Sequence, residues 1–366
     1  MKINIVLPFF IDQPGGGIKV MYQYANQLAS KGHDVNIYHS MNTKWVHKKS
    51  LSIKYWKQFF FQKYAGRVVI KRPSWFQLNP LVKSFHIAKV SNSFIRDADI
   101  VLSTWWSTTI EVFSLQKAKG IKFNLIQDYE IYMTRQQDLV HASYELPLNH
   151  IVVSRYLSNI VAKFSKVFPS LIPNAIDHKQ FYLVNPIENR DTHHVIMLYS
   201  ESERKGSSYG IEALKKIIEK IPSLKVTLFG VYPDAPKGLS DNFNYYYLPD
   251  NLPDLYNQSS IFISPSIHEG WGLPAMEAMA CGCACVCTNI EGHLDFMTDY
   301  QNVLFTEPAN SSNIAEKVIE LIKNNPLRMK LANLAVKHIE NFTWDASCLK
   351  LEKIFAQTQK LQRNAD

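Results

Sequence analysis

No apolar run in these 366 residues approaches the ~18 that a membrane-spanning helix needs. The opening Met1-Lys2-Ile3-Asn4-Ile5-Val6-Leu7 also lacks the length and cleavage site of a secretory signal, so the chain is expected in the cytoplasm. Cysteine is scarce, at 5, and four of these (Cys281, Cys283, Cys285 and Cys287) alternate along one short run. Neighbours on one strand face are poorly placed to bridge, and a single strand cannot wrap four thiolates around zinc. Small buried strand residues are the expected role. Glycine at 14 and proline at 17 are too few and too scattered for a fibrous or low-complexity chain, and there is no repeat of solenoid period.

Acidic residues are missing from one stretch altogether. Between Val35 and Arg96 there are 12 Lys and Arg and no Asp or Glu, whereas the whole chain has 40 basic and 32 acidic residues. The net charge of +8 therefore comes from that stretch, and the rest of the chain is slightly acidic. What is plentiful is apolar: 46% of residues are hydrophobic and 12% aromatic. At 42.1 kDa this is material for two ordinary domains, which excludes a disordered chain.

Apolar runs and helical periodicity alternate throughout. Ile3 to Phe9 reads as a strand covered on both faces, and a Pro-Gly-Gly-Gly turn (Pro14 to Gly17) follows it. Ile18, Met21, Tyr24, Ala25 and Leu28 then recur at helical spacing up to Gly32, and a second strand starts at Val35. Strands follow at Ile100, Phe123 and Ile151, with a helix near Thr109 to Lys117. A Pro173-Asn174 turn marks the domain junction. Beyond it, strands at His194, Lys225, Ile261 and Ala284 alternate with helices from Tyr209, Pro253 and Pro274, and helices near Ile314 to Lys323 and Leu327 to Ile339 close the domain. The expected fold is α/β, with two doubly wound parallel sheets, and ligands of such sheets bind beyond the strand carboxyl ends.

Two glycine-containing loops are candidates for phosphate. Gly15-Gly16-Gly17 lies between first strand and first helix, where bare backbone lets an anion approach the helix amides; tight packing is the alternative. It is not G-x-G-x-x-G, and the second strand ends at His39 without the acidic residue a dinucleotide ribose requires. The second loop runs from Ser264 and enters a helix that has Pro274 in its first turn and stops at Gly282. Glu269 lies in this loop and Glu277 about one turn into the helix, so both carboxylates can face one ligand. The amides of Trp271, Gly272 and Leu273 sit between them at the positive end of the helix dipole. Carboxylates bind vicinal hydroxyls and amides bind anionic oxygens, which suits a phosphorylated, polyhydroxylated ligand.

The stretch Glu269-Gly270-Trp271-Gly272-Leu273-Pro274-Ala275-Met276-Glu277 resembles the E-x7-E signature of retaining family-four glycosyltransferases of the GT-B fold. The glycine loop, Gly32-His33-Asp34-Val35, Pro173-Asn174, Arg204-Lys205-Gly206 and Phe229-Gly230 appear in that family's order. The resemblance implies a GT-B chain with an acceptor-side domain over 1–171, a nucleotide-side domain over 172–341, and a last helix over 342–366 returning to the first. It implies that Glu277 holds the ribose of a nucleotide, Glu269 a hydroxyl of the transferred sugar, and Arg204 with Lys205 the diphosphate, without a metal or other cofactor. In the commoner family pattern an Arg stands several residues before the Lys, where this chain has Ser200-Glu201. Gln127-Asp128-Tyr129-Glu130 is similar to segments of bacterial rhamnosyltransferases of surface-polysaccharide assembly, which makes Asp128 the candidate at the reacting sugar. The implied reaction moves a hexose or deoxyhexose from a nucleotide diphosphate to a glycan or lipid-linked glycan.

Two further readings bear on partners. Asp97-Ala98-Asp99 imitates a metal-binding D-x-D, but it directly precedes a strand and is read as leading into it. Lys44 to Arg72 interleaves Trp45, Tyr55, Trp56 and Phe59 with Lys48, Lys49, Lys54 and Lys57. That pattern favours an anionic membrane surface or a lipid diphosphate over nucleic acid, with a solvated basic face over a local aromatic core as the plain alternative. Two rival functions share the architecture or the basic surface: a non-hydrolysing nucleotide-sugar epimerase, which the two-carboxylate arrangement argues against, and a non-catalytic membrane scaffold.

Overall fold

The computed structural model describes residues 1–41, 57 and 69–364. They form two compact units, one of Met1–Pro173 with Trp344–Asp366 and the other of Asn174–Thr343. Most of the basic aromatic segment, including Lys44, Lys48, Lys49 and Lys54, lies outside the described residues.

The first unit contains strands β1 (Lys2–Leu7), β2 (Asp34–Ser40), β3 (Val69–Ile70), β4 (Lys83–Ile87), β5 (Ile100–Thr104), β6 (Ile121–Ile126), β7 (Asn149–Val152) and β8 (Ser170–Leu171), with helices α1 (Gly16–Ser30), α2 (Trp106–Phe113), α3 (Gln137–Glu145) and α4 (Arg155–Val161). The sheet order is β3–β4–β2–β1–β5–β6–β7–β8, parallel except at β3–β4. Central strands are largely buried because helices cover both faces: Ile3, Ile5, Val6 and Leu7 of β1 are all inaccessible to solvent, as is Asn4 among them. Helix α2 starts and ends earlier than the sequence periodicity indicates. The carboxyl Oε2 of Glu130 accepts from the Trp106 backbone N–H at 2.7 Å and fixes the start. The ammonium of Lys122 takes up the Phe113 and Leu115 carbonyls at 2.7 and 2.5 Å and draws the chain off the helix axis.

In the second unit, β9 (His194–Leu198), β10 (Lys225–Gly230), β11 (Phe243–Tyr247), β12 (Ile261–Ser264), β13 (Ala284–Thr288) and β14 (Leu304–Thr306) alternate with α5 (Ser207–Lys220), α6 (Leu252–Gln258), α7 (Leu273–Ala280), α8 (Ser311–Lys323) and α9 (Asn325–Ile339). The order is β11–β10–β9–β12–β13–β14, parallel throughout. Val195, Met197, Leu214, Val226, Ile263 and Val286 form the centre of its core. The cysteine run is not one strand face. Cys281 ends α7, Cys283 lies in the turn, and only Cys285 and Cys287 belong to β13; all are buried free thiols.

The last helix, α10 (Trp344–Arg363), packs on the first unit. Trp344 meets Tyr24 edge-on at 5.2 Å, Phe355 lies 4.7 Å from Phe123, and the Ser347 hydroxyl donates to the Pro173 carbonyl at 2.9 Å.

Candidate functional site

In the second sheet the strand order reverses between β9 and β12. Chain leaving β9 proceeds to β10 on one side, while β12 leads to β13 on the other, so the loops after these two adjacent strands open a crevice at the carboxyl edge. The loop after β9 carries Arg204 and Lys205, and the loop after β12 carries Glu269. Topology therefore brings together residues more than sixty positions apart in the chain.

Backbone bonds join the two loops. The Arg204 carbonyl accepts from the amides of Ile267 at 2.7 Å and His268 at 3.2 Å. Gly206 closes the first loop with φ +59°, where a Cβ would stand 2.0 Å from the Pro265 carbonyl oxygen; only glycine permits that approach. Across this junction Lys205 Nζ lies 2.6 Å from Glu269 Oε1, with both side chains largely shielded from water. The Ser266 hydroxyl donates to the same oxygen at 2.9 Å. Lys205, Ser266, Glu269, Gly272 and Pro274 line one small cavity together with Leu198. The start of α7 thus faces the same space as the ion pair, and a ligand there meets a cation, a carboxylate and a helix amino end.

Glu277 sits within α7 and is buried, and its Oε2 accepts from the Tyr256 hydroxyl at 3.5 Å. Gly270, Trp271 and Gly272 are buried, and Leu273 is the first half-buried residue of the helix. The Trp271 indole stacks on Phe296 at 5.1 Å and meets Phe342 edge-on at 5.9 Å, so its ring supports the loop from within. Gly272 caps α7 with φ +104°, and a Cβ there would stand 2.8 Å from the ring of His293.

The remaining candidates lie on the first unit. Gly16 and Gly17 open α1, and the Gly17 carbonyl accepts from Gln127 Nε2 at 3.0 Å. The glycine turn and the Gln127–Glu130 segment are thus neighbours. Asp128 accepts from the Tyr129 amide at 2.9 Å. Asp97 pairs with Lys119 at 2.8 Å, and Asp99 accepts from the Lys2 amide at 2.6 Å, which ties it to β1.

Several residues of these sites escaped sequence reading. Glu130 is buried at the amino end of α2, where burial pushes its carboxyl up to about 8 against the pull of the Trp106 amide, with Asp128 adding repulsion. Nothing marks it in the sequence except its place two residues after Asp128. His293 and Thr288 stand behind the Glu269 loop: His293 Nδ1 lies 2.8 Å from the Thr288 carbonyl, and the Thr288 hydroxyl donates to the Ser266 carbonyl at 2.5 Å. Burial lowers the His293 imidazole below its usual range, against the opposing effects of the Thr288 carbonyl and Glu269.

Residues 185–338 match the family model of glycosyl transferases group 1. The D-inositol 3-phosphate glycosyltransferase of Corynebacterium aurimucosum is 29% identical over 31% of this chain and 27% of its own length. The O-antigen chain mannosyltransferase B of Escherichia coli is 30% identical over 27% of this chain and 26% of its own. The matched stretches thus span about a quarter of these relatives. Among solved structures, Anabaena HepE in complex with UDP-glucose superposes with TM-score 0.70 at 14% identity, covering 98% of this chain and 100% of that one. The fold, two parallel-sheet α/β units, is GT-B.

Proposed function

We propose that this chain, whose residues 185–338 belong to the glycosyl transferases group 1 family, is a retaining glycosyltransferase. It moves a hexose or deoxyhexose from a nucleotide diphosphate to a glycan or lipid-linked glycan in surface-polysaccharide assembly. The observation that carries this reading is the Lys205–Glu269 pair at the sheet reversal, 2.6 Å apart and beside the start of α7. Departure of a nucleoside diphosphate develops negative charge on its β-phosphate. A fixed ammonium, the Arg204 guanidinium and helix amides stabilise that charge at no reorganisation cost. Glu277 takes the ribose hydroxyls, Glu269 a hydroxyl of the sugar, and Asp128 the donor or acceptor at the reacting sugar. Gly16 and Gly17 supply bare backbone on the acceptor-side unit.

Family membership supports the transferase over an epimerase or a scaffold. The rhamnose assignment rests on the Gln127–Glu130 segment alone. The reaction proceeds without a metal, because Lys205 and Arg204 supply the charge a cation would bring; activity surviving excess chelator is the expected outcome. The basic segment Lys44 to Arg72 docks on an anionic membrane surface at the cytoplasmic face. Changing Lys48, Lys49, Lys54 and Lys57 to Glu should abolish co-sedimentation with phosphatidylserine vesicles, since each such cation contributes about 1 kcal/mol.

The deciding experiment screens UDP-glucose, GDP-mannose and dTDP-rhamnose for thermal stabilisation. A donor at 100 times its dissociation constant adds about 2.7 kcal/mol. Product formed from a nucleotide sugar with no acceptor present would favour the epimerase instead.

A further inference from the structure

We propose that Ser266 is the positioning residue for Glu269, held in turn by Thr288 and His293. This rests on the reading of Glu269 as the sugar ligand. Two donors meet Glu269 Oε1: Lys205 Nζ at 2.6 Å and the Ser266 hydroxyl at 2.9 Å. They differ in what ligand binding asks of them. Lys205 is assigned to the diphosphate and must share its charge when the nucleotide enters. Ser266, buried at 3% exposure, has no such second task and holds the carboxylate in both states.

The support continues behind Ser266 through two directional bonds. The Thr288 hydroxyl, at the end of β13, donates to the Ser266 carbonyl at 2.5 Å. His293 Nδ1 lies 2.8 Å from the Thr288 carbonyl; a carbonyl only accepts, so Nδ1 carries the proton. Burial disfavours a second proton on the ring, the one on Nε2. That nitrogen has no hydrogen-bond partner among the described residues and lies against Gly272, 2.9 Å from where a Cβ would stand. A chain of three hydrogen bonds therefore runs from His293 across the ends of β13 and β12 to the carboxylate. The terminal torsion of a glutamate is broad when unsupported, and a misplacement of about 1 Å at a reacting centre can cost on the order of a hundredfold.

The test uses whichever of UDP-glucose, GDP-mannose and dTDP-rhamnose the wild-type chain turns over, with the matching nucleoside diphosphate for calorimetry. Ser266→Ala should lower kcat by about tenfold or more and leave the affinity for the bare nucleoside diphosphate within about twofold. Thr288→Val should shift kcat in the same direction by less, and Thr288→Ser, which keeps the hydroxyl, should restore it. Wild-type kcat in Ser266→Ala overturns the proposal. So does a loss of nucleotide affinity as large as the loss of turnover, which would make Ser266 general loop support. Glu269→Ala, assayed alongside, separates the two levels: wild-type turnover there sinks the site reading itself. An impaired Glu269→Ala beside an unimpaired Ser266→Ala removes only the present proposal. Turnover of none of the three donors by wild type overturns both.

Discussion

Each unit places glycines between a central strand and a helix, and the two loops are built on different principles. Before α1, Gly15 and Gly17 are not demanded by the surrounding protein. A Cβ on Gly17 would meet the Gln127 side chain at an ordinary 3.6 Å, and one on Gly15 would meet only Ile11 at 3.9 Å. Before α7, Gly272 is held at φ +104° with the His293 ring 2.8 Å from its would-be Cβ. The loop is tied to the Arg204 carbonyl, to Thr288 and, through its own glutamate, to Lys205. A glycine required by packing marks a loop whose shape is fixed in advance. A glycine with room beside it serves, if it serves anything, a ligand.

The largest effect expected from breaking the rigid loop is on chemistry. Lys205→Ala removes the cation proposed for the leaving phosphate and should lower kcat by about 10²–10³, measured with a saturating nucleotide sugar. Wild-type kcat would remove Lys205 from the reaction.

Next in size is the separation of the two carboxylates. Losing a charged hydrogen-bonding partner costs about 1.5–3 kcal/mol, or roughly ten- to a hundredfold. Glu277→Ala should weaken the bare nucleoside diphosphate by that factor. Glu269→Ala should leave that affinity nearly unchanged while slowing turnover, because the hydroxyl proposed as its partner exists only on the sugar. Calorimetry that finds both variants binding the bare nucleotide like wild type would end the assignment of Glu277 to the ribose.

The glycines provide the direct test of the comparison. Gly272→Ala should destabilise the fold by about 1–3 kcal/mol through strain at a positive φ. Gly17→Ala should stay within about 0.5 kcal/mol and lower turnover only if donor or acceptor approaches α1. Denaturant unfolding of both variants decides, and equal stabilities would erase the distinction between the loops.

The last prediction concerns the first unit and pH. Burial, opposed by the Trp106 amide and aided by Asp128, raises the Glu130 carboxyl from 4.5 to about 8. Between those values the folded chain keeps a proton that the unfolded chain has released, so this group's contribution is fully favourable below about 4.5 and is lost as pH rises through about 8. Glu130→Gln should flatten that decline in urea midpoints taken from pH 5 to 9. An unchanged slope would show that Glu130 is already ionised in the folded chain.

Legibility followed the range of the interactions. Strands such as Ile261–Ser264 could be read because every side chain in them is buried, and helices such as Ser207–Lys220 because one face is. The edge strand Phe243–Tyr247 was missed, since its half-exposed tyrosines follow no apolar pattern, and so was β4, whose Lys83, Ser84 and His86 mimic a loop. The eight-residue spacing of Glu269 and Glu277 was visible because a loop and the helix it enters are local.

The chain by itself determined the alternation of strands and helices, the glycines at their ends, and the positions of both carboxylates relative to α7. Those are consequences of periodicity and backbone sterics within a few residues. Tertiary structure alone decided that Lys205 meets Glu269, that Ser266, Thr288 and His293 stand in line behind it, and that Glu130 caps α2 in a dry environment. Each depends on which strands are neighbours in its sheet and on how completely water is excluded there, and neither quantity is carried by local spacing.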